Sequence, residues 1–266
     1  MDVRLVATDL DGTALSEGLN MSPRVTAAIA AVREAGIIVV FVTARNWRSV
    51  AVIAKSAGVG GMAICSNGAV LYNLDDQAVV AAHHLDHAAL VDFMTRCREV
   101  EPEVAFAWES AHEAFREESF PLRSPPLSKI YVASLQVSPR PEQHTPITKV
   151  MVSHPNLGAE QLLERLRECS AVSLSASISG PHFLEVCADG VTKAFALSSL
   201  CDSLGIAQEQ VLAIGDQPND LPMLEWAGRP VAMGNSHPGV LAAIAEHTAT
   251  NLEDGLAIVL EELLLT

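Results

Sequence analysis

The chain of 266 residues reads as an α/β protein, a parallel sheet with helices on its faces, interrupted by an inserted α+β domain. Three observations lead there. Short apolar runs without helical spacing, such as VRLVATD and IIVVFVTAR, end abruptly in polar residues, the pattern of strands buried on both faces. Between them lie segments of helical length, with capping residues before and glycine after. This rhythm stops near residue 83 and resumes near 187, so two halves of one sheet bracket a block of different texture.

Residues 3–9 form the first strand because their apolar run leads straight into Gly12. A helix follows over 23–35, capped by Ser22, opened by Pro23 and stopped by Gly36. The second strand is 37–45, the next helix 47–56 closes at Gly58, and a third strand over 61–70 carries SNG. Alternation over 72–82 predicts a hairpin turning at Asp75 and Asp76. In the inserted block, 85–100 is helical, 104–110 and 129–137 are strand-like, and 119–126 and 138–146 are proline-punctuated loops. ITKVMVSHP, a helix over 157–169 and alternation over 171–178 complete it. The first rhythm returns with helix 191–204, strand QVLAIGD, helix 221–228, strand PVAMGN and helices over 238–246 and 255–265. The expected division is a core of 1–82 and 187–266 around an inserted domain of 83–186.

Composition narrows the function classes. A formal charge of −15 disfavours nucleic acid, which needs clustered Lys and Arg. The longest near-continuous apolar stretch, 36–42, is far too short to span a membrane, and MDVRLVATDL does not read as a signal peptide because Asp2 precedes a strand-like run. A cytoplasmic location is therefore expected, with no membrane partner. Five scattered cysteines suggest reduced core thiols, and none of the nine histidines forms a convincing ligand triad. Trp108, Phe115 and Phe120 fit either core packing or a ligand surface.

Four polar signatures fall at predicted strand ends: Asp9 with Asp11, Thr43 to Arg45, Ser66 to Gly68, and Gly215 to Asp220. Each alone reads as a cap or turn, but in a parallel sheet the carboxyl ends of neighbouring strands converge on one site. Asp9 suits nucleophilic attack on a phosphoryl group, giving an aspartyl-phosphate. Gly12 lets the chain turn so that Asp11 stands beside the leaving group as general acid and then base; the alternative is a side-chain bond within the turn. The Asp9 side chain, the Asp11 carbonyl and the Asp216 side chain make an oxygen-only set suited to Mg²⁺. Asp220 joins that set, orients a water or the site lysine, or caps the following helix with Asn219. Thr43 can donate to a phosphate oxygen, and Lys193 can reach the same oxygens and hold Asp9 ionised; the plain alternative for Lys193 is solvent. Asn67 is a candidate for phosphate or backbone support, Gly68 for close approach to a ligand, and Arg45 for phosphate or for a salt bridge to the inserted domain.

The ordered set DLDGTAL at 9–15, TAR at 43–45, SNGA at 66–69, GVTKAFAL at 190–197 and GDQPNDLPML at 215–224 resembles the haloacid dehalogenase-like phosphohydrolases, specifically their Cof-like branch. AGRPVAMGNS and TNLEDGLAIVLEEL extend the match over nearly all of both core segments, whereas the inserted hundred or so residues match only in placement and general pattern. The resemblance implies a magnesium-dependent phosphatase with a Rossmann-like core and a large α+β cap. It makes Asp9 the nucleophile, Asp11 the acid/base, Thr43 the phosphate donor, Lys193 the charge partner and Asp216 the metal ligand, with Asn219 and Asp220 supporting phosphate and metal geometry. Ala194 stands where relatives commonly have Gly, and Pro218 and Pro222 stiffen the loop around Asn219. The expected activity is hydrolysis of a small phosphomonoester, a sugar phosphate or related metabolite, by a monomer or homodimer. A phosphosugar mutase using the same intermediate, or a phosphate-binding module with little turnover, are the alternatives.

Overall fold

The structure, a computed structural model, describes residues 2–16, 20–121, 135–169 and 174–265. The chain divides into two compact units, Met1–Val80 with Thr192–Thr266, and Ala81–Val191. Among the described residues no helix is long and apolar enough to cross a membrane.

The first unit is built on a seven-stranded sheet in the order β13-β12-β1-β2-β3-β4-β5. Strand β1 (Leu5–Thr8) lies between β2 (Ile38–Val42) and β12 (Val211–Gly215), parallel to both. Every β1 residue is buried, which is why its sequence is continuously apolar rather than alternating. Strands β3 (Met62–Cys65) and β13 (Arg229–Ala232) extend the parallel portion on either side. The predicted hairpin is present: β4 (Val70–Asn73), which runs antiparallel to β3, is hydrogen-bonded on its other side to β5 (Ala78–Ala82) at the sheet edge, with 74–77 as the turn between them. From β1 the chain winds through β2 and β3 in one direction, and from β12 to β13 in the other. The strand order therefore switches direction between β1 and β12, where parallel sheets open a crevice beyond their carboxyl ends.

The helices follow their local signals. Ser22 accepts from the Val25 amide to start α1 (Pro23–Glu34), and Asn46 caps α2 (Trp47–Ala57), which ends at the left-handed Gly58. Thr192 caps α5 (Lys193–Leu204). Helices α5, α6 (Leu221–Trp226) and α7 (Pro238–Ala243) bury Leu197, Leu200, Met223, Leu224 and Val240 against Leu5, Ala7, Val40 and Val42 of the sheet. Burying such side chains contributes about 1.5–3 kcal/mol each. Helix α8 (Gly255–Leu263) packs on α1.

The second unit carries a six-stranded sheet in the order β10-β11-β9-β6-β7-β8: β6 (Ala105–Ser110), β7 (Ala114–Arg116), β8 (Leu135–Val137), β9 (Ile147–Ser153), β10 (Leu174–Ser177) and β11 (Leu184–Ala188). Among the described residues its helices are α3 (His87–Val100) and α4 (Ala159–Leu166). Phe93, Phe106, Trp108, Val150, Leu162 and Val186 form its core, with Phe115 packed against it. Phe120 packs with Ala105, Ala107 and Met151. Lys149 is buried on β9 between Glu185 at 2.7 Å and Glu109 at 3.5 Å. The strand expected over 129–137 is described only from Leu135; its earlier part, and residues 171–173 of the expected 171–178 strand, lie outside the described residues. All five cysteines are free thiols and buried.

Candidate active site

The crevice between β1 and β12 gathers the polar strand ends. Asp9 directly follows β1, and its amide donates to the Ile214 carbonyl of β12 at 3.0 Å, so it faces the loop that follows β12. Lys193, the first residue of α5, has a side chain only 1% exposed, and its Nζ donates to Asp9 Oδ1 at 2.6 Å and to Asp220 Oδ1 at 2.5 Å. Of the two readings of this lysine, the structure selects the buried one. Asp9 Oδ2 has no hydrogen-bond partner among the described residues.

Asp220 is fully committed. Its Oδ2 accepts from the amides of Asp216 at 3.0 Å and Gln217 at 2.9 Å, while Oδ1 holds Lys193. It thus folds the 216–220 loop and orients the site lysine. Asp216 Oδ1 accepts from the Thr13 hydroxyl at 3.0 Å and Oδ2 from Gln217 Nε2 at 2.8 Å. The close approach of the two loops depends on Gly12, at φ 78°, because a Cβ there would lie 2.4 Å from Asp216 Oδ2. Asn235 Nδ2 donates to the Gly12 carbonyl and Asn251 Nδ2 to that of Leu15, both at 2.8 Å, anchoring the turn after Asp9 from the far end of the chain.

Asp9, Asp216 and Asp220 offer oxygens within 4.8 Å of one another, all three residues buried, and are the sole such cluster among the described residues. Three carboxylate groups face one ammonium, a strong formal excess of negative charge for a buried place. The electrostatics register it. Burial raises the Asp9 carboxyl well above the usual carboxylate range; Lys193 opposes this, and the charges of Asp220, Asp216 and Asp11 reinforce it. Burial, with the Asp220 charge behind it, pushes Asp216 up to about 7 against the bonds from Gln217 and Thr13. Lys193 lies above the ordinary lysine range: burial works against the ammonium, and Asp220 and Asp9 outweigh it. A buried, oxygen-only pocket that retains protons for want of positive charge fits a hard divalent cation, which would take the protons' place.

The next strand ends supply donors. Thr43 is fully buried, and its Oγ1 accepts from the Arg45 amide at 3.2 Å, so its own proton remains available to donate. Ser66 and Asn67 both adopt positive φ, 50° and 58°. They are held there by bonds from the Ser66 amide to the Arg45 carbonyl at 2.8 Å and from the Asn67 amide to the Thr43 carbonyl at 3.0 Å. Asn67 Oδ1 accepts from Asn219 Nδ2 at 3.0 Å, and Asn219 Oδ1 is buried without a partner. Gly68 approaches protein rather than an open cavity: a Cβ would stand 2.2 Å from the Thr192 carbonyl, so this glycine seats the start of α5 and with it Lys193. Arg45 makes a third arrangement beside the two read from sequence, a two-pronged pairing with Asp11: Nε to Oδ2 at 2.6 Å and Nη2 to Oδ1 at 2.5 Å. Gln217, Asn235 and Asn251 fall inside the quoted motifs, but nothing local marks the bonds they make to Asp216, Gly12 and Leu15.

Comparison with known proteins agrees with this geometry. Residues 6–260 match the haloacid dehalogenase-like hydrolase family. Among curated relatives, the chain is 27% identical over 267 residues to the 5-amino-6-(5-phospho-D-ribitylamino)uracil phosphatase YcsE of Bacillus subtilis, covering 97% of this chain and 94% of that protein. It is also 27% identical over 268 residues to the pyridoxal phosphate phosphatase YbhA of Escherichia coli, covering 97% of each. A crystal structure of a haloacid dehalogenase-like hydrolase from Bacteroides thetaiotaomicron superposes with a TM-score of 0.79 at 25% identity, over 98% of this chain and 99% of that one. With its acid cluster at the switch point of a parallel sheet and the match running through both core segments, the chain belongs to the haloacid dehalogenase-like hydrolases, in their Cof-like, subclass IIB branch.

Proposed function

We propose that the protein hydrolyses a small phosphomonoester, a sugar phosphate or a related phosphorylated metabolite, with Mg²⁺ and through an aspartyl-phosphate on Asp9. One observation carries the reading: Asp9 presents one oxygen without a partner while Lys193 fixes the other, at the mouth of the crevice where a parallel sheet receives its ligand. That is the posture of a nucleophile, held in one orientation with a reactive atom to spare. Asp9, Asp216 and the Asp11 carbonyl would hold the cation, with Asp220 behind them. When bound, Mg²⁺ supplies charge neutralisation that lets an anionic substrate approach an anionic nucleophile.

The remaining roles belong to the protein's own groups. Thr43 donates to a non-bridging phosphate oxygen, with Asn67 and Asn219 supporting the same pocket. Lys193 offsets charge as the phosphoryl group arrives, and Arg45 acts beside it through Asp11. Asp11 protonates the departing oxygen and then takes the proton of the attacking water, so that the acylphosphate is hydrolysed at phosphorus and Asp9 is regenerated. Catalysis lies in the unit formed by 1–80 and 192–266, with 81–191 as the inserted cap. The named relatives are phosphatases of phosphorylated metabolites, which supports the substrate class. The test is release of inorganic phosphate from a panel of phosphometabolites with and without Mg²⁺. Turnover is expected only with the metal, D9N is expected to be inactive, and a D9N protein with normal turnover overturns the mechanism. Free phosphate rather than an isomeric sugar phosphate separates hydrolysis from mutase chemistry.

A further inference from the structure

The Asp11 side chain is 42% exposed, whereas the acid/base role proposed for it demands a fixed direction. Among the described residues, Arg45 is the sole hydrogen-bond donor to its carboxylate, and it grips both oxygens. The grip is rigid from the arginine's side. Its side chain is 14% exposed, its amide is tied to Thr43 Oγ1 at 3.2 Å, and its carbonyl accepts from Ser66 at 2.8 Å. The planar guanidinium matches a carboxylate edge to edge, fixing the plane as well as the distance, which a single ammonium does not do.

We propose that Arg45 is the positioning residue for proton transfer: its fork aims the Asp11 carboxyl group at the leaving-group oxygen and leaves the phosphoryl group to other donors. This rests on the acid/base reading of Asp11. In that reading the outward-facing lone pairs, those turned away from the guanidinium, are the ones through which Asp11 exchanges a proton. An unclamped Asp11 would spend its time among several rotamers, and proton transfer is sensitive to misplacement by about 1 Å, which costs on the order of 10²-fold.

The experiment compares phenyl phosphate with p-nitrophenyl phosphate, two esters of similar shape whose leaving groups differ in their need for a proton. The readout is the ratio of their kcat/KM values in one preparation, which a partly unfolded variant does not distort. D11N is expected to lower the phenyl to p-nitrophenyl ratio by about 10²-fold or more, the usual contribution of general acid catalysis. R45Q is expected to lower it about 10-fold, the larger loss falling on phenyl phosphate, a partial loss of that same contribution. R45K is expected to follow R45Q, because it keeps the charge and loses the fork. In a D11N background R45Q should leave the ratio within about 2-fold, since residues acting through one another are not additive. An R45Q protein that slows both esters equally and raises KM places Arg45 on the phosphoryl group and overturns the proposal. So does an R45K protein with the wild-type ratio. If D11N itself leaves the ratio unmoved, the acid/base role of Asp11 is what fails, whatever Arg45 does.

Discussion

Gly12→Ala adds one methyl group where the structure has no room for it. The backbone there sits at φ 78°, a conformation that costs an L-residue roughly 1–2 kcal/mol. The new Cβ would lie 2.4 Å from Asp216 Oδ2 and 2.8 Å from its Cγ, so the carboxylate must retreat by about 1 Å to reach ordinary contact. A free side chain would yield cheaply. This one is 2% exposed and held by Thr13 at 3.0 Å and Gln217 at 2.8 Å. Losing one such charged hydrogen bond costs about 1.5–3 kcal/mol. The total is roughly 2.5–5 kcal/mol of stability, readable as a lower urea midpoint with the slope unchanged. Because the group displaced is an expected metal ligand, phosphate release should fall by on the order of 10²-fold and need more Mg²⁺ for half-maximal rate. A G12A protein with wild-type turnover and Mg²⁺ dependence would show that Asp216 is not held where the chemistry needs it.

Two further outcomes follow from the buried charges. Lys193→Met removes the counter-charge of Asp9 and Asp220, and breaking a buried pair costs about 3–5 kcal/mol; chemical denaturation at pH 8 should show that loss, together with absent phosphate release even at saturating Mg²⁺. The second concerns pH. Asp216 in the folded protein keeps its proton up to about 7, whereas the ordinary value is 3.8, so between those limits the folded state binds more protons than the unfolded one. The metal-free protein should therefore lose stability as pH rises from about 4 to about 7. Mg²⁺ should raise the melting temperature more at pH 8 than at pH 5, where it competes with protons, and equal shifts at both would remove the acid cluster as the binding place.

Much of this architecture is legible in the sequence for reasons that are local. Ser22, Asn46 and Thr192 announce helix starts because short polar side chains reach the third amide on, and Gly58 announces an end because it takes the left-handed conformation. The unbroken apolar run of β1 gives away a strand covered on both faces. Strand β7, of only 3 residues, shows no period and is visible only through its pairing with β6 and β8. The site divides the same way. Acids at strand ends stand out in the text of the chain, but the choice among roles for Asp220 depends on where its two oxygens point. The pairing of Arg45 with Asp11 spans 34 positions and leaves no motif. Asn251 reaches Leu15 across 236 positions through a single side-chain amide, beyond any local pattern.

The place of β1 in the middle of its sheet has a bearing on how the molecule comes into being. Its neighbour β12 arrives late, and Thr13 meets Asp216 across 203 positions. A ribosome making 5–20 residues each second would therefore expose β1 with one flank bare for roughly 10–40 s before β12 emerges. Throughout that interval Asp9 has no acid from the later loop beside it, so the mutual repulsion is met only when the finished sheet closes over them.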